Sequence, residues 1–277
     1  MIQGAAELLP ISSSAHVIVA EKLMKLDPSS PEMTMLLIML HTGTMFAVIV
    51  YFWKSWKRDY FSSSVKRMDY LMQLVIATFC TGVVFIVVKE VIEKVFLKGA
   101  PKAEIEILFS NLGLVGAALF AAGVLITISG IRSQGRFRGE GSEIQVQDSI
   151  LIGLIQGLSI PFRGFSRSGS TISTGLLREL SRSRVEEFSF ALAVILTPAA
   201  IAFEGKRLLE ANKAGAHLPI GHLMLPGMIG MVFSFLAGLA ALKLLSKWLE
   251  AGQWKLFGFY CVAASIAVLA LHFGMGL

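Results

Sequence analysis

Six apolar runs, at 33–53, 70–96, 105–131, 187–205, 219–246 and 254–277, constrain this chain more than any other feature. Each suffices to carry a helix across a bilayer, which takes about 20 residues. In hydrocarbon every backbone polar group needs a partner within its own segment, so helices are the expected elements. Charged residues make up only 16% of the chain, against about 25% in a soluble domain, and no separate soluble domain is visible. The net charge of +6 is then the lysine and arginine excess of cytoplasmic loops, not a nucleic-acid footprint. Cys80 and Cys261 lie inside apolar runs, where a small buried apolar role is expected rather than a disulfide or a metal site.

Two further stretches are apolar but too polar for a lipid-facing span. Residues 1–24 are broken by Glu7, Pro10, Ser12, Ser13, Ser14 and His16. Residues 148–182 contain QGLSIPFRGFSRSGST at 156–171. Both fit re-entrant, broken helical hairpins lining a cavity, where irregular backbone is tolerated. The polar, glycine-rich connector 132–147 separates a first half (1–131) from a second (148–277). The expected fold is an all-α polytopic membrane protein, each half a re-entrant broken hairpin plus three transmembrane helices. Ile2-Gln3-Gly4 recurs as Ile155-Gln156-Gly157 at an offset of 153 residues, which also sets Ser13 on Ser166 and Ser14 on Arg167. Three crossings per half is odd, so the halves form an inverted-topology repeat with a polar site expected near the midplane. The first half lacks a counterpart of DSILIG (148–153), and a truncated start is the expectation.

Loops 54–69, 132–147, 178–186 and 243–255 hold fourteen Lys/Arg, and the opposite set (20–32, 97–105, 206–219) holds seven. The richer side is expected to be cytoplasmic. The first hairpin then opens from outside and the second enters from the cytoplasm. The mixed-charge run Arg178–Glu187 is expected to be a solvated cytoplasmic turn.

Two groups of residues carry chemistry. Gln3 and Glu7 stand one helical turn apart, Pro10 ends that helix, and Ser13 and His16 follow. A hydroxyl near a histidine and a carboxylate can form an activated nucleophile. The plainer reading has Ser12 to Ser14 capping a helix and His16 bonding inside the bundle. In the second hairpin, Arg167 requires an anionic partner: Glu7 in a structural ion pair, or a phosphate. Its setting among Gly164, Ser166, Ser168, Gly169 and Thr171 favours phosphate, since hydroxyls and glycine N–H groups donate and a guanidinium grips two oxygens. Arg163 either lines the cavity or snorkels to the interface. His41 is expected to bond a neighbouring helix. No pair of histidines or carboxylates shows metal-ligand spacing, so no structural metal site is expected.

GAAELLPISSSAH (4–16), RGFSRSGST (163–171) and HTGTMFAV (41–48) resemble the undecaprenyl-diphosphate phosphatase family, the bacitracin-resistance type, over nearly the whole chain. The resemblance implies hydrolysis of undecaprenyl diphosphate to the monophosphate, which returns the lipid carrier to cell-wall synthesis. It sets the family's Glu/Gln-x-x-x-Glu motif on Gln3 and Glu7, and its Ser and His on Ser13 and His16. The Pro-Gly-x-Ser-Arg-Ser-x-x-Thr motif falls on Gly164, Ser166, Arg167, Ser168 and Thr171, with Arg163 in the proline position. The family's Tyr–Arg pair of the last span is here Tyr260–Cys261, without the arginine. The resemblance also implies a divalent cation, Mg or Ca, with Glu7 as a ligand, a longer apolar N-terminus, and an inner-membrane location.

In the mechanism this implies, the prenyl diphosphate enters laterally from the membrane lipids into a cavity facing the periplasm. Arg167, Ser166 and backbone N–H groups hold the phosphates, with Ser12, Gln3, Gly164, Ser168 and Thr171 around them. Ser13 attacks phosphorus, with His16 as base or proton donor and Glu7 orienting His16 or holding the cation. Water activated by Glu7 or His16 is the variant. The rivals are a transporter or flippase of the carrier, on architecture, and a scaffold with structural ion pairs. A homodimer is compatible with all of these, and nucleic acid is not an expected partner.

Overall fold

The computed structural model describes residues 2–24, 31–96, 111–134, 143–211 and 220–275. Met1, the first residues of the expected span 105–131, the centre of the connector, residue 219 and the last two residues lie outside these. Among the described residues all regular structure is helical: α1 (Ile2–Leu8), α2 (Ser13–Leu23), α3 (Pro31–Asp59), α4 (Ser64–Val91, continued by a π turn, Ile92–Phe96), α5 (Leu112–Arg132), α6 (Val146–Ser159), α7 (Arg167–Leu177), α8 (Arg182–Ala211), α9 (Ile220–Glu250) and α10 (Trp254–Met275). Six of them, α3, α4, α5, α8, α9 and α10, are long and apolar enough to cross a membrane. The protein is a multi-pass membrane protein.

Local chemistry sets the helix ends. Ser63 Oγ accepts from Val65 N at the start of α4, Asn111 Oδ1 from Leu114 N at the start of α5, and Ser166 Oγ from Gly169 N at the start of α7. These side chains satisfy N–H groups that the first turn leaves without partners. Gln145 N donates to Asp148 Oδ2 ahead of α6. The spans outrun the apolar stretches: α3 ends at Asp59 rather than 53, because Lys54, Lys57 and Arg58 extend its last turns without burying charge.

The helices pack in five main pairs: α5 on α10, α3 on α9, α4 on α6, α3 on α8 and α1 on α9. Small residues let backbones approach. A Cβ on Gly4 would stand 2.6 Å from the carbonyl oxygen of Ser234, and one on Gly157 would stand 2.7 Å from that of Thr81. Thr81 Oγ1 also donates to the Gly153 carbonyl and accepts from Gln156 Nε2. Large apolar side chains such as Val75, Phe79, Val232 and Leu236 face outward.

The start of α8 departs from the solvated turn expected for Arg178–Glu187. Glu186 and Glu187 are only 3% and 4% exposed. Tyr51 Oη donates to Ser246 Oγ, which donates to Glu186 Oε1, and Ser55 Oγ donates to Glu187 Oε1. Arg178 Nε donates to the buried Asp148 at 2.8 Å. Hydroxyls on α3 and α9 make this burial tolerable, because a buried charge or carboxyl needs partners, and those partners are invisible in the local sequence.

Candidate active site

Pro10 and a left-handed Ser12 (φ +63°) turn the chain between α1 and α2. The turn folds Ser13 back onto α1, where its Oγ donates to Glu7 Oε2 at 2.6 Å. Gln3 Nε2 donates to the same oxygen at 3.1 Å from one turn away. Ser12 Oγ accepts from Ala15 N, as a cap would, and lies 3.2 Å from Ser14 Oγ.

The second hairpin meets the first at this point. Gly164 N donates to Ser14 Oγ at 3.4 Å. Gly164 has φ +106°, and a Cβ there would collide with the Val115 carbonyl of α5, so both backbone sign and space require glycine. The turn delivers Arg167 to the first position of α7, with Nη2 3.7 Å from Glu7 Oε1. Arg167 Nη1 is buried with no hydrogen-bond partner among the described residues. The ion pair that a structural reading anticipates is therefore present but long, and one arm of the guanidinium is left for another acceptor.

The remaining motif residues divide. Ser166 is the N-cap of α7, and Ser168 is buried in its first turn. Thr171 Oγ1 lies 2.9 Å from the Arg167 carbonyl and 2.6 Å from Ser189 Oγ, inside the α7–α8 contact. Arg163 sits half-buried in the turn before Gly164.

His16 turns away from Glu7. Its Nδ1 is 2.9 Å from the Ser12 carbonyl and its Nε2 is 2.7 Å from Tyr260 Oη. A carbonyl only accepts, so Nδ1 donates and Nε2 takes the phenol hydrogen. Cys261 Sγ donates to the Pro10 carbonyl at 3.3 Å beside it. The imidazole that faces Glu7 is instead His41 of α3, with Nε2 3.8 Å from Glu7 Oε2 and Nδ1 2.8 Å from the Leu37 carbonyl. Spacing within the hairpins does not reveal His41; its sequence signals are a polar HTGT inside an apolar run and the place of HTGTMFAV in the family resemblance.

Ser13, Glu7 and Arg167 thus converge with His41 and Gln3 where two broken helices meet. A hydroxyl donating to a carboxylate, beside a guanidinium with one unpartnered arm among the described residues and the N-terminus of α7, suits transfer of a group carrying negative oxygens.

Comparison with known proteins agrees with that chemistry. The family model described as "Bacitracin resistance protein BacA" matches residues 1–267. The chain is 56% identical over 274 residues to undecaprenyl-diphosphatase 2 of Acinetobacter baylyi, covering 98% of this chain and 95% of that protein. It is 31% identical to the undecaprenyl-diphosphatase of Korarchaeum cryptofilum over 98% of this chain and 96% of that protein. For the undecaprenyl-diphosphatase of Halothermothrix orenii the identity is 30%, over 98% and 95% respectively.

Proposed function

The chain belongs to the bacitracin resistance protein BacA family, and we infer from this that it is an integral membrane phosphatase that hydrolyses undecaprenyl diphosphate to undecaprenyl phosphate and phosphate. The observation that carries the mechanism is the 2.6 Å hydrogen bond from Ser13 to Glu7, with Arg167 on the other carboxylate oxygen. Ser13 Oγ attacks the terminal phosphorus while Glu7 takes its proton. The bond from that phosphorus to the bridging oxygen breaks, and undecaprenyl phosphate leaves. Water then attacks the phosphoserine; its oxygen goes to phosphorus, and Ser13 Oγ regains a proton by way of Glu7. Arg167 and the N–H groups at the start of α7 hold the charge on the equatorial oxygens. His16, fixed by Ser12 and Tyr260, borders the turn that carries Ser13 and supports its geometry.

A divalent cation, Mg or Ca, fits this donor set as a partial shell. Among the described residues there is no group of three His, Cys, Asp or Glu, but Mg takes one or two carboxylates and completes its shell with substrate phosphates and water. Glu7 would hold it. When bound, the cation neutralises charge on the diphosphate.

We further propose that the halves are inverted repeats. Gly157 and Ser234 stand 153 residues after Gly4 and Thr81, so one offset relates both members of the Gly4–Ser234 and Gly157–Thr81 contacts. The pairs α3–α8 and α5–α10 would each map onto themselves under the same exchange. The site opens to the periplasm in this reading. His41 lies about 20 Å along α3 from Lys54, which begins the basic end expected in the cytoplasm. The substrate reaches the site from the membrane lipids, and a homodimer remains compatible with this arrangement.

The test is phosphate release from undecaprenyl diphosphate by the purified, detergent-solubilised protein. Release that falls with a chelator is the expected result. A transporter needs two compartments to act and would release none.

A further inference from the structure

We propose that His41 is a second protein ligand, with Glu7, for the divalent cation, so that the site takes a nitrogen-accepting metal such as Mn in preference to Ca. The proposal rests on the phosphatase reading only for the cation's use, since binding can be measured by itself. Nothing in the hairpin motifs assigns His41 this role. Its geometry does so on three counts.

The first is the state of the ring. Nδ1 is 2.8 Å from the Leu37 carbonyl, so it carries the hydrogen, and in the neutral ring Nε2 presents a lone pair. A metal-binding histidine characteristically donates its other N–H to a carbonyl or carboxylate in this way, which fixes the ring.

The second is the spacing. Nε2 is 3.8 Å from Glu7 Oε2, too far for a hydrogen bond. Metal–nitrogen and metal–oxygen bonds are about 2.1 Å each, so an ion between the two groups fits a separation of this size. Arg167 stands at the other carboxylate oxygen, Oε1, so the ion would share Oε2 only with the neutral donors Ser13 and Gln3.

The third is rigidity. Ser234 Oγ donates to the Leu40 carbonyl at 2.9 Å. Gly4, one turn before Glu7, rests on Ser234, and Gly43 rests on the Met231 backbone. Helices α1, α3 and α9 therefore lock together at the level of the pair, and neither ligand has to be gathered from a loop. Imidazole suits first-row transition metals such as Zn and Fe best and Mn least, whereas Ca is bound through oxygen. One nitrogen and one carboxylate make an incomplete shell, which diphosphate oxygens and water would complete.

Mn(II) with methylenediphosphonate is the probe, added to the full-length protein in detergent. Pulsed electron paramagnetic resonance should show an imidazole nitrogen coupled to the metal in the wild type. The coupling should vanish in His41→Gln and persist in His16→Gln. Mn affinity in His41→Gln should fall by at least about 10-fold, and Ca affinity much less. A wild-type spectrum without nitrogen coupling overturns the proposal whatever the variants do, leaving a direct His41–Glu7 ion pair. Coupling that survives in a folded His41→Gln, judged by its thermal melt, overturns it too. Failure of the phosphatase reading would look different: no phosphate released with any metal, while nitrogen coupling remains.

Discussion

Ser13 Oγ donates to Glu7 Oε2 at 2.6 Å across the break between α1 and α2. Ser13→Ala removes the proposed nucleophile, and phosphate release should fall by at least about 10³-fold. Glu7→Gln keeps the size and an acceptor oxygen but cannot take a proton, so its kcat should fall by about 10²–10⁴-fold. Initial rates of phosphate release check both. Near-wild-type release by Ser13→Ala would assign the attack to water.

Arg167→Lys keeps the charge but loses the planar fork, and with it any two-point grip on phosphate. Its kcat should fall by about 10³-fold or more. Steady-state kinetics on the solubilised protein, with a thermal melt to confirm folding, decide the matter. Retained activity would leave Arg167 as a structural partner of Glu7 alone.

Gly4→Val and Gly157→Val should lower the melting temperature to a similar extent. Each new Cβ would meet a backbone carbonyl oxygen, at 2.6 Å and 2.7 Å, and overpacking of this kind costs about 1–3 kcal/mol or more. Comparable loss at two sites in different halves is what an inverted repeat requires. A Gly157 variant as stable as the wild type would argue against the equivalence.

Ser62, between α3 and α4, lies at the basic end of both helices. A cysteine placed there, Ser62→Cys, should stay unlabelled by an impermeant maleimide in intact cells and react once the membrane is opened. Labelling from outside would reverse the orientation and the face to which the site opens.

The spans were legible because length and apolarity suffice to identify a membrane crossing. The hairpins were legible because Pro10, the serine run and Gly164 cannot sit in lipid as continuous helix. Glu7 and Ser13 could be paired from spacing only because Pro10 forces a fold-back between them. Partners from distant helices were beyond reach. The burial of Glu186 and Glu187 depends on hydroxyls of Ser246 and Ser55, which lie far away in sequence. His16 looked like the companion of Glu7 because it follows Ser13 by three residues. Tyr260, 244 residues later, is the group that meets its Nε2, and His41 takes the place facing the carboxylate.

The contacts of Tyr260 with His16 and of Cys261 with Pro10 join the first hairpin to the last helix. His16 precedes Tyr260 by 244 residues and Pro10 precedes Cys261 by 251, so the hairpin is made long before the helix it rests against. During synthesis a polar hairpin must wait in or beside the bilayer, with His16 and the Pro10 carbonyl unmatched, until α10 arrives. Loss of α10 would therefore loosen the turn that carries Ser13 without removing any residue of either hairpin, and the site is complete only once that helix has packed.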